Sequence, residues 1–338
     1  MWSVVLVACA WVFAACGAQQ SEPVEDPVLE DLGALMDGVP DKADLAEEKT
    51  DIVPPARFDL VRYQSPVRSQ GRRGVCSIFG TVALMEHLYI LEGTLTDPDF
   101  SEQYLQWAVK VLVGAFPDSS GSNAYYNLKA ISEHGIVEES VWPYDPYPWR
   151  SSDDPACDGS DGQPVRCYTN GDPPPEADGA TKWHLPQGRY INPSVSSIKA
   201  FMVNKNQGVQ VGGKFFYQAW NHGGSHLPIN RSYWRKGYVL YPNDDDKKDS
   251  SERPAGHSVL LVGWDDDLEV QKVDGEGNYV TDEEGNPVME KGFFLFKNSW
   301  GTGSFGSENP MGDGYGWISY RYVEEFMSAR ASDLPEVE

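Results

Sequence analysis

Gln70-Gly71-Arg72-Arg73-Gly74-Val75-Cys76-Ser77-Ile78-Phe79 is the stretch from which the rest of the chain can be read. A glutamine precedes a cysteine by six positions, and Gly71 and Gly74 between them signal a turn. After the cysteine the pattern changes. Ile78, Val82, Met85 and Tyr89 recur with the spacing of one buried helical stripe. Cys76 is therefore expected at the head of a core helix. There the macrodipole and unpaired N–H groups favour the thiolate, which is the reactive form. The competing reading is a small buried residue of no chemical consequence, since free cysteine is among the most buried types.

Two later stretches weigh against that reading. Ala255-Gly256-His257-Ser258-Val259-Leu260-Leu261-Val262-Gly263-Trp264 reads as a histidine leading a buried strand. Phe293-Phe294-Leu295-Phe296-Lys297-Asn298-Ser299-Trp300-Gly301 reads as a second apolar strand ending in a polar motif. Together the three stretches resemble the papain family of cysteine peptidases. Further likeness lies in Ser101-Glu102-Gln103, in Gly135-Ile136-Val137-Glu138, in Trp142-Pro143-Tyr144 and in Gly314-Tyr315-Gly316-Trp317. The resemblance spans roughly residues 58–330. It implies an α+β, papain-like fold of two lobes: a helical N-terminal lobe and an antiparallel β-barrel-like C-terminal lobe, with the active-site cleft between them. It also implies catalytic roles for Cys76, His257, Asn298 and Gln70, with no metal or cofactor.

At 338 residues the chain holds one large or two modest domains. An apolar share of 40% with 11 Trp, 17 Tyr and 13 Phe supplies core material. A net charge of −24 argues against nucleic acid and anionic lipid as partners. A peptide or protein substrate and a monomer are expected.

Residues 1–16 read as a signal peptide. Trp2 to Ala15 is apolar and uncharged, too short to span a bilayer, and is followed by small residues. Phe13-Ala14-Ala15-Cys16 looks like a bacterial lipobox, with Cys16 as the lipid anchor of an envelope lipoprotein at the outer membrane or cell surface. Ordinary cleavage and secretion is the alternative. Residues 17–56 form an acidic segment: between Glu22 and Asp51, eleven Asp/Glu stand against two Lys. This reads as a solvated, disordered tether, with a short pro-segment that blocks the cleft as the alternative. Leu29, Leu32, Leu35 and Met36 are expected to form one short amphipathic turn within it.

Residues 57–338 form the peptidase domain, with the helical lobe at 57–150 and the strand-rich lobe at 193–338. Helices are expected after Ser101, over 127–134 ending at Gly135, and after Ser194, with a strand from Val209. His87 and His134 read as structural. His222 and His226 have a four-residue spacing, but the glycines between them argue against a metal pair. Cys157 and Cys167, ten apart in an exported protein, read as a disulfide closing a loop, worth on the order of 3 kcal/mol. A metal pair, the alternative, lacks further ligands.

His257 stands 181 positions after Cys76, beyond the family's usual spacing of about 130–150, and two acidic insertions flank it: an expected loop at 243–249 before it and an expected hairpin at 265–291 after it. If they border the cleft, they favour cationic or neutral substrates. The chain also departs from the family pattern. Arg73 stands where a half-cystine is usual, Ser122 where a substrate-binding glycine is usual, and Ser77 where an aromatic follows the nucleophile. Ser77 is a candidate helix cap.

The resemblance implies one chemistry. His257 takes the proton of Cys76 and returns it to the leaving amine. Asn298 holds the ring, Trp300 shields that bond, and Gln70 donates to the oxyanion with the Cys76 amide. A thiol acyltransferase or amidase, and an inactive binding module that kept the cleft, are the competing functions.

Overall fold

A computed structural model describes residues 33–336. The leader with Cys16, and residues 17–32 of the acidic segment, lie outside the described residues.

The helical lobe is built on α1 (Cys76–Glu92), α2 (Glu102–Trp107), which runs into one wider turn over Ala108–Leu112, and α3 (Ala124–His134). α1 is buried on every side as far as Tyr89. It packs against α3 on one flank and against the sheet on the other, as a helix apolar all round must. It ends at Gly93, whose left-handed φ of +95° lets its amide reach the Tyr89 carbonyl at 3.1 Å. Ser101 caps α2 through the Tyr104 amide, and Asn123 caps α3 through the Tyr125 and Tyr126 amides.

Two short helices, α4 (Arg166–Thr169) and α5 (Glu176–Gly179), lie in the connection between lobes. The Cys157–Cys167 disulfide closes the loop before α4. The second lobe carries α6 (Val195–Lys205, capped by Ser194), α7 (Arg231–Lys236), α8 (Asp244–Glu252) and α9 (Tyr320–Phe326). The acidic run at 243–249 is a helix, not the expected loop. Asn243 caps it through the Asp246 amide, and three aspartates in its first turn complement the macrodipole.

The strands are β1 (Arg57–Asp59), β2 (Arg189–Ile191), β3 (Val209–Lys214), β4 (Tyr238–Val239), β5 (Gly256–Gln271), β6 (Met289–Lys297), β7 (Tyr315–Ser319) and β8 (Met327–Ala331). They form one sheet in the order β2-β8-β3-β5-β6-β7-β4, with β1 paired to β5 beside that path. This corrects the expectation of an antiparallel barrel. The sheet does not close, and β4 pairs with β7 in parallel. Its end strands span only three and two residues. Pro193 lies two positions beyond β2, and Pro242 three beyond β4. Proline supplies no ladder N–H, so neither strand extends toward the other.

The inserted hairpin is present. β5 and β6 stay paired out to Gln271 and Met289. Beyond them Asp274 and Asp282 each accept backbone amides of their own turns.

Residues 33–56 lie along the domain in defined contacts. Asn192 Nδ2 donates to the Leu45 carbonyl at 3.0 Å, and Asn204 Nδ2 to the Lys49 carbonyl at 2.8 Å. Ser194 Oγ donates to Glu47, and Arg189 pairs with Glu48. Of the expected amphipathic turn, Leu29 and Leu32 lie outside the described residues, and Leu35 and Met36 are not helical. The chain is extended there and pairs with Ser122.

Candidate active site

Cys76 is the first residue of α1 and is wholly buried. The loop before it is held from several sides. The Gln70 amide donates to the Ser299 carbonyl at 2.8 Å, and the Tyr144 hydroxyl donates to the Gln70 carbonyl at 2.8 Å. The Gln70 side-chain oxygen accepts from Ser299 Oγ at 2.7 Å, which fixes the amide orientation. Its Nε2 donates to the Arg73 carbonyl at 2.9 Å, and an amide nitrogen carries a second N–H.

His257 lies on β5, and Asn298 directly follows β6 on the neighbouring strand. His257 Nε2 lies 2.9 Å from Asn298 Oδ1. The Ser299 amide donates to the same oxygen at 2.9 Å, so that atom is an acceptor and Nε2 carries the proton. The other ring nitrogen, Nδ1, is thereby a base. Among the described residues it has no hydrogen-bond partner. Cys76 Sγ lies 3.9 Å from the carbonyl oxygen of Gly256, the residue before His257. The helix head and the strand head therefore meet across the two lobes.

Three aromatic rings surround the imidazole. Trp300 stacks on it at 4.7 Å with 25° between planes, and Trp220 and Phe215 meet it edge-on at 5.0 and 5.9 Å. Burial pushes the His257 pKa down to about 3. The Asn298 hydrogen bond opposes this and nearby His222 adds to it. In the occupied cleft the imidazole is neutral, whereas the thiolate–imidazolium pair expected from sequence needs it charged.

The cleft is occupied by residues 33–35 of the chain itself. The Ser122 amide donates to the Gly33 carbonyl and the Leu35 amide to the Ser122 carbonyl, both at 2.9 Å, in parallel register. On the other side the Ala34 amide donates to the Gly256 carbonyl at 3.2 Å. A serine in place of the expected glycine does not obstruct this pairing. Its side chain turns inward to Asn127 and leaves its backbone to the segment. Gly33 has a φ of +67°, and a Cβ there would lie 1.8 Å from the Gly74 carbonyl oxygen. Only glycine lets the segment pass this close to the loop that leads into α1.

Sequence reading noted Arg73 only as the residue in place of a half-cystine. Its guanidinium is buried, stacks on Tyr144 at 5.0 Å, and donates to Gln103 Oε1 at 2.7 Å and to the Asp145 carbonyl at 2.9 Å. Where the family pattern has a disulfide, a guanidinium ties the nucleophile loop to α2 and to the crossover segment. Lys297 and Glu86 were missed. Lys297 donates to Ser65 Oγ and the Ser65 carbonyl, both at 2.8 Å, and Ser65 Oγ donates to Glu86. Burial lowers the lysine pKa to about 8 and raises that of the glutamate. Ser77 does not cap α1, because its hydroxyl accepts from Asn127 Nδ2 at 2.9 Å.

His87 is structural. Its Nε2 accepts from the Gly208 amide at 3.0 Å. His226 lies at the surface beside Asp249, and the described residues hold no cluster of three or more side chains suited to a metal. Nor do they include a helix long and apolar enough to cross a membrane.

The open sheet, the helix headed by Cys76 and the cleft between them make this a papain-like, cysteine-protease fold. The chain is similar to xylellain, a cysteine protease from Xylella fastidiosa, with a TM-score of 0.60 and 19% identity over 90% of this chain and 96% of that one. It is also similar to the cysteine protease and lectin-like domains of Cwp84, a surface-layer-associated protein of Clostridium difficile. There the TM-score is 0.53 with 18% identity over 87% of this chain and 55% of the other. A third similar structure is procathepsin B S9 from Trypanosoma congolense, with a TM-score of 0.51 and 13% identity over 90% and 86%. No protein-family model matches the chain, and no curated protein matches it in sequence.

Proposed function

We propose that the chain is an exported cysteine-type peptidase, held latent by residues 33–35 lying in its cleft. The observation that carries the peptidase reading is the state of His257. Asn298 holds its Nε2, which leaves Nδ1 a base in the strand head beside Cys76 Sγ. In the reaction, Nδ1 takes the thiol proton and the sulfur attacks a peptide carbonyl. The C–N bond breaks as His257 returns the proton to the departing amine. Water, deprotonated by the same nitrogen, then attacks the thioester, releases a carboxylic acid and restores the thiol. The second Gln70 N–H and the Cys76 amide would receive the transient oxyanion, each donor being worth about 3 kcal/mol.

Latency is supported by Gly33, Ala34 and Leu35, which use the backbone groups of Ser122 and Gly256 that a substrate strand would need. The apolar leader supports export, and the Cys16 lipobox supports attachment to the envelope by lipid. Mass analysis of peptide-library products from the full chain, beside a Cys76→Ala control, tests the reading. Hydrolysed fragments that depend on Cys76 are expected. Aminated products would indicate an acyltransferase. No Cys76-dependent product, even after residues 33–35 are unseated, would overturn the peptidase assignment.

A further inference from the structure

Against the cleft-bound segment lies a small, partly open space lined by both polar and apolar groups. It is bounded above by Ala34 and below by Gln210, Ser258, Ser328 and Arg330. About 10 Å³ is left open, room for no more than about one water. The lining comes from the sheet register. Arg330 on β8 pairs with Gln210 on β3 and with Tyr190 on β2, and Ser328 pairs with Gly212.

Most polar groups of this lining are already committed. Gln210 Nε2 donates to the Ser77 carbonyl and to Ser258 Oγ, while its oxygen accepts from Thr81. Ser258 Oγ donates to the Val211 carbonyl, and Ser328 Oγ to the Gly212 carbonyl.

Arg330 differs. It is 3% exposed. Its guanidinium lies 4.6 Å from the Tyr190 ring and 5.0 Å from the Tyr125 ring. Nη2 donates to the Gln187 and Gly188 carbonyls, whereas Nε has no partner among the described residues. Burial lowers its pKa, opposed by the two tyrosines. Among the described residues no carboxylate opposes that burial as a counter-ion. A buried charge is costly until it is paired.

We infer that this space is a substrate subsite selecting an acidic side chain: Asp or Glu, at the position where Ala34 now docks, would meet the guanidinium of Arg330. The inference rests on the peptidase reading for its biological sense and names that enzyme's substrate class. It runs against the cationic preference expected from the acidic insertions. Three of their carboxylates are engaged elsewhere: Asp246 accepts the Gln218 and Ala219 amides, and Asp274 and Asp282 cap their own turns. The methyl group of Ala34 supplies no charge, which suits a segment that must occupy the cleft and later leave it.

The test uses the full chain carrying Gly33→Val, which unseats the segment, and peptides in which one Glu, Gln, Leu or Lys is moved along an otherwise fixed alanine-rich sequence. Binding is read by fluorescence anisotropy with Cys76→Ala added, and turnover with Cys76 present. At one position Glu is expected to bind at least roughly tenfold tighter than Gln, the scale of a hydrogen bond to a charged group. Arg330→Met should bring that ratio near one, while Arg330→Lys should keep part of it. If Arg330→Met does not fold, the lysine variant and the weakening of the preference at high salt decide. Equal affinity for Glu and Gln, a Glu preference that survives Arg330→Met, or no peptide binding at all overturns the subsite. A Glu preference in binding without turnover leaves the subsite standing and removes the peptidase reading instead.

Discussion

Ala34 donates its amide to the Gly256 carbonyl at 3.2 Å, and that same oxygen lies 3.9 Å from Cys76 Sγ. One atom thus joins the segment, the nucleophile and the strand that carries His257. The cleft is occupied at the point where chemistry would occur.

Gly33 sets how securely it is occupied. Any side chain there meets the Gly74 carbonyl and must adopt a left-handed backbone, at about 1–2 kcal/mol for the backbone alone. Gly33→Val should raise peptidase activity of the full chain by roughly tenfold or more. It should also expose residues 33–56 to limited proteolysis. Initial-rate assays on both proteins check this, and unchanged rates would remove the latency reading.

Asn298 holds the ring of His257. Replacing it with alanine frees His257 to rotate and to change tautomer. Asn298→Ala should lower kcat about tenfold to a hundredfold with little change in KM, the scale of a misplaced catalytic group. The downfield nuclear magnetic resonance signal of the Nε2 proton should disappear with it. A loss confined to KM would contradict a positioning role.

Much of this was legible in order along the chain. Cys76, His257 and Asn298 each stand at an end of an apolar run, and such runs become helix or strand whatever surrounds them. Ser101, Asn123 and Ser194 cap the helices they precede. What was not legible depended on partners remote in sequence. Arg73 stands in the sequence only in place of a half-cystine, and its role appears when Gln103, Tyr144 and Asp145 enclose it. The acidic run after Asn243 reads as a loop because its charge hides a well-capped helix. Whether the sheet closes depends on end strands of two or three residues, too short for any periodicity to register.

Two buried histidines make the fold acid-sensitive. His257 and His87 are held neutral by burial, with pKa values lowered to about 3 and about 4. Above pH 6.5 both states of the chain carry neutral imidazoles, and this contribution to stability is complete. As pH falls below 6.5, the unfolded chain takes up protons that the folded one refuses, so stability is lost toward pH 4. Buried carboxylates act in the opposite sense: Glu139, raised to about 7, and Glu86, Glu102 and Asp246, also raised by burial, take up protons in the folded chain and offset the loss. The comparison with His257→Gln isolates the histidine: in thermal melting from pH 6.5 to 4.5 the parent should lose about 2–3 kcal/mol relative to the variant. A difference that does not change with pH would contradict the burial argument.

Arg73 carries the last prediction. Its guanidinium reaches Gln103, the Asp145 carbonyl and, at 3.3 Å, the Tyr168 carbonyl, from a position 2% exposed. Arg73→Met keeps much of the volume but leaves the Asp145 carbonyl without its donor, and leaves Gln103 Oε1 and the Tyr168 carbonyl with only the longer bonds from the Asp145 amide and Gln106 Nε2. Each unsatisfied group costs about 1–3 kcal/mol, and partial relaxation brings the expected total to about 2–4 kcal/mol in urea unfolding. Because Gln70 Nε2 bonds to the Arg73 carbonyl, the same change should also loosen the oxyanion donor. Activity should therefore fall through kcat even at temperatures where the variant is fully folded. Arg73→Lys should recover little of either loss, since a single ammonium cannot span acceptors on three segments as the planar fork does. Full recovery by lysine would show that charge alone, not the fork geometry, holds the nucleophile loop.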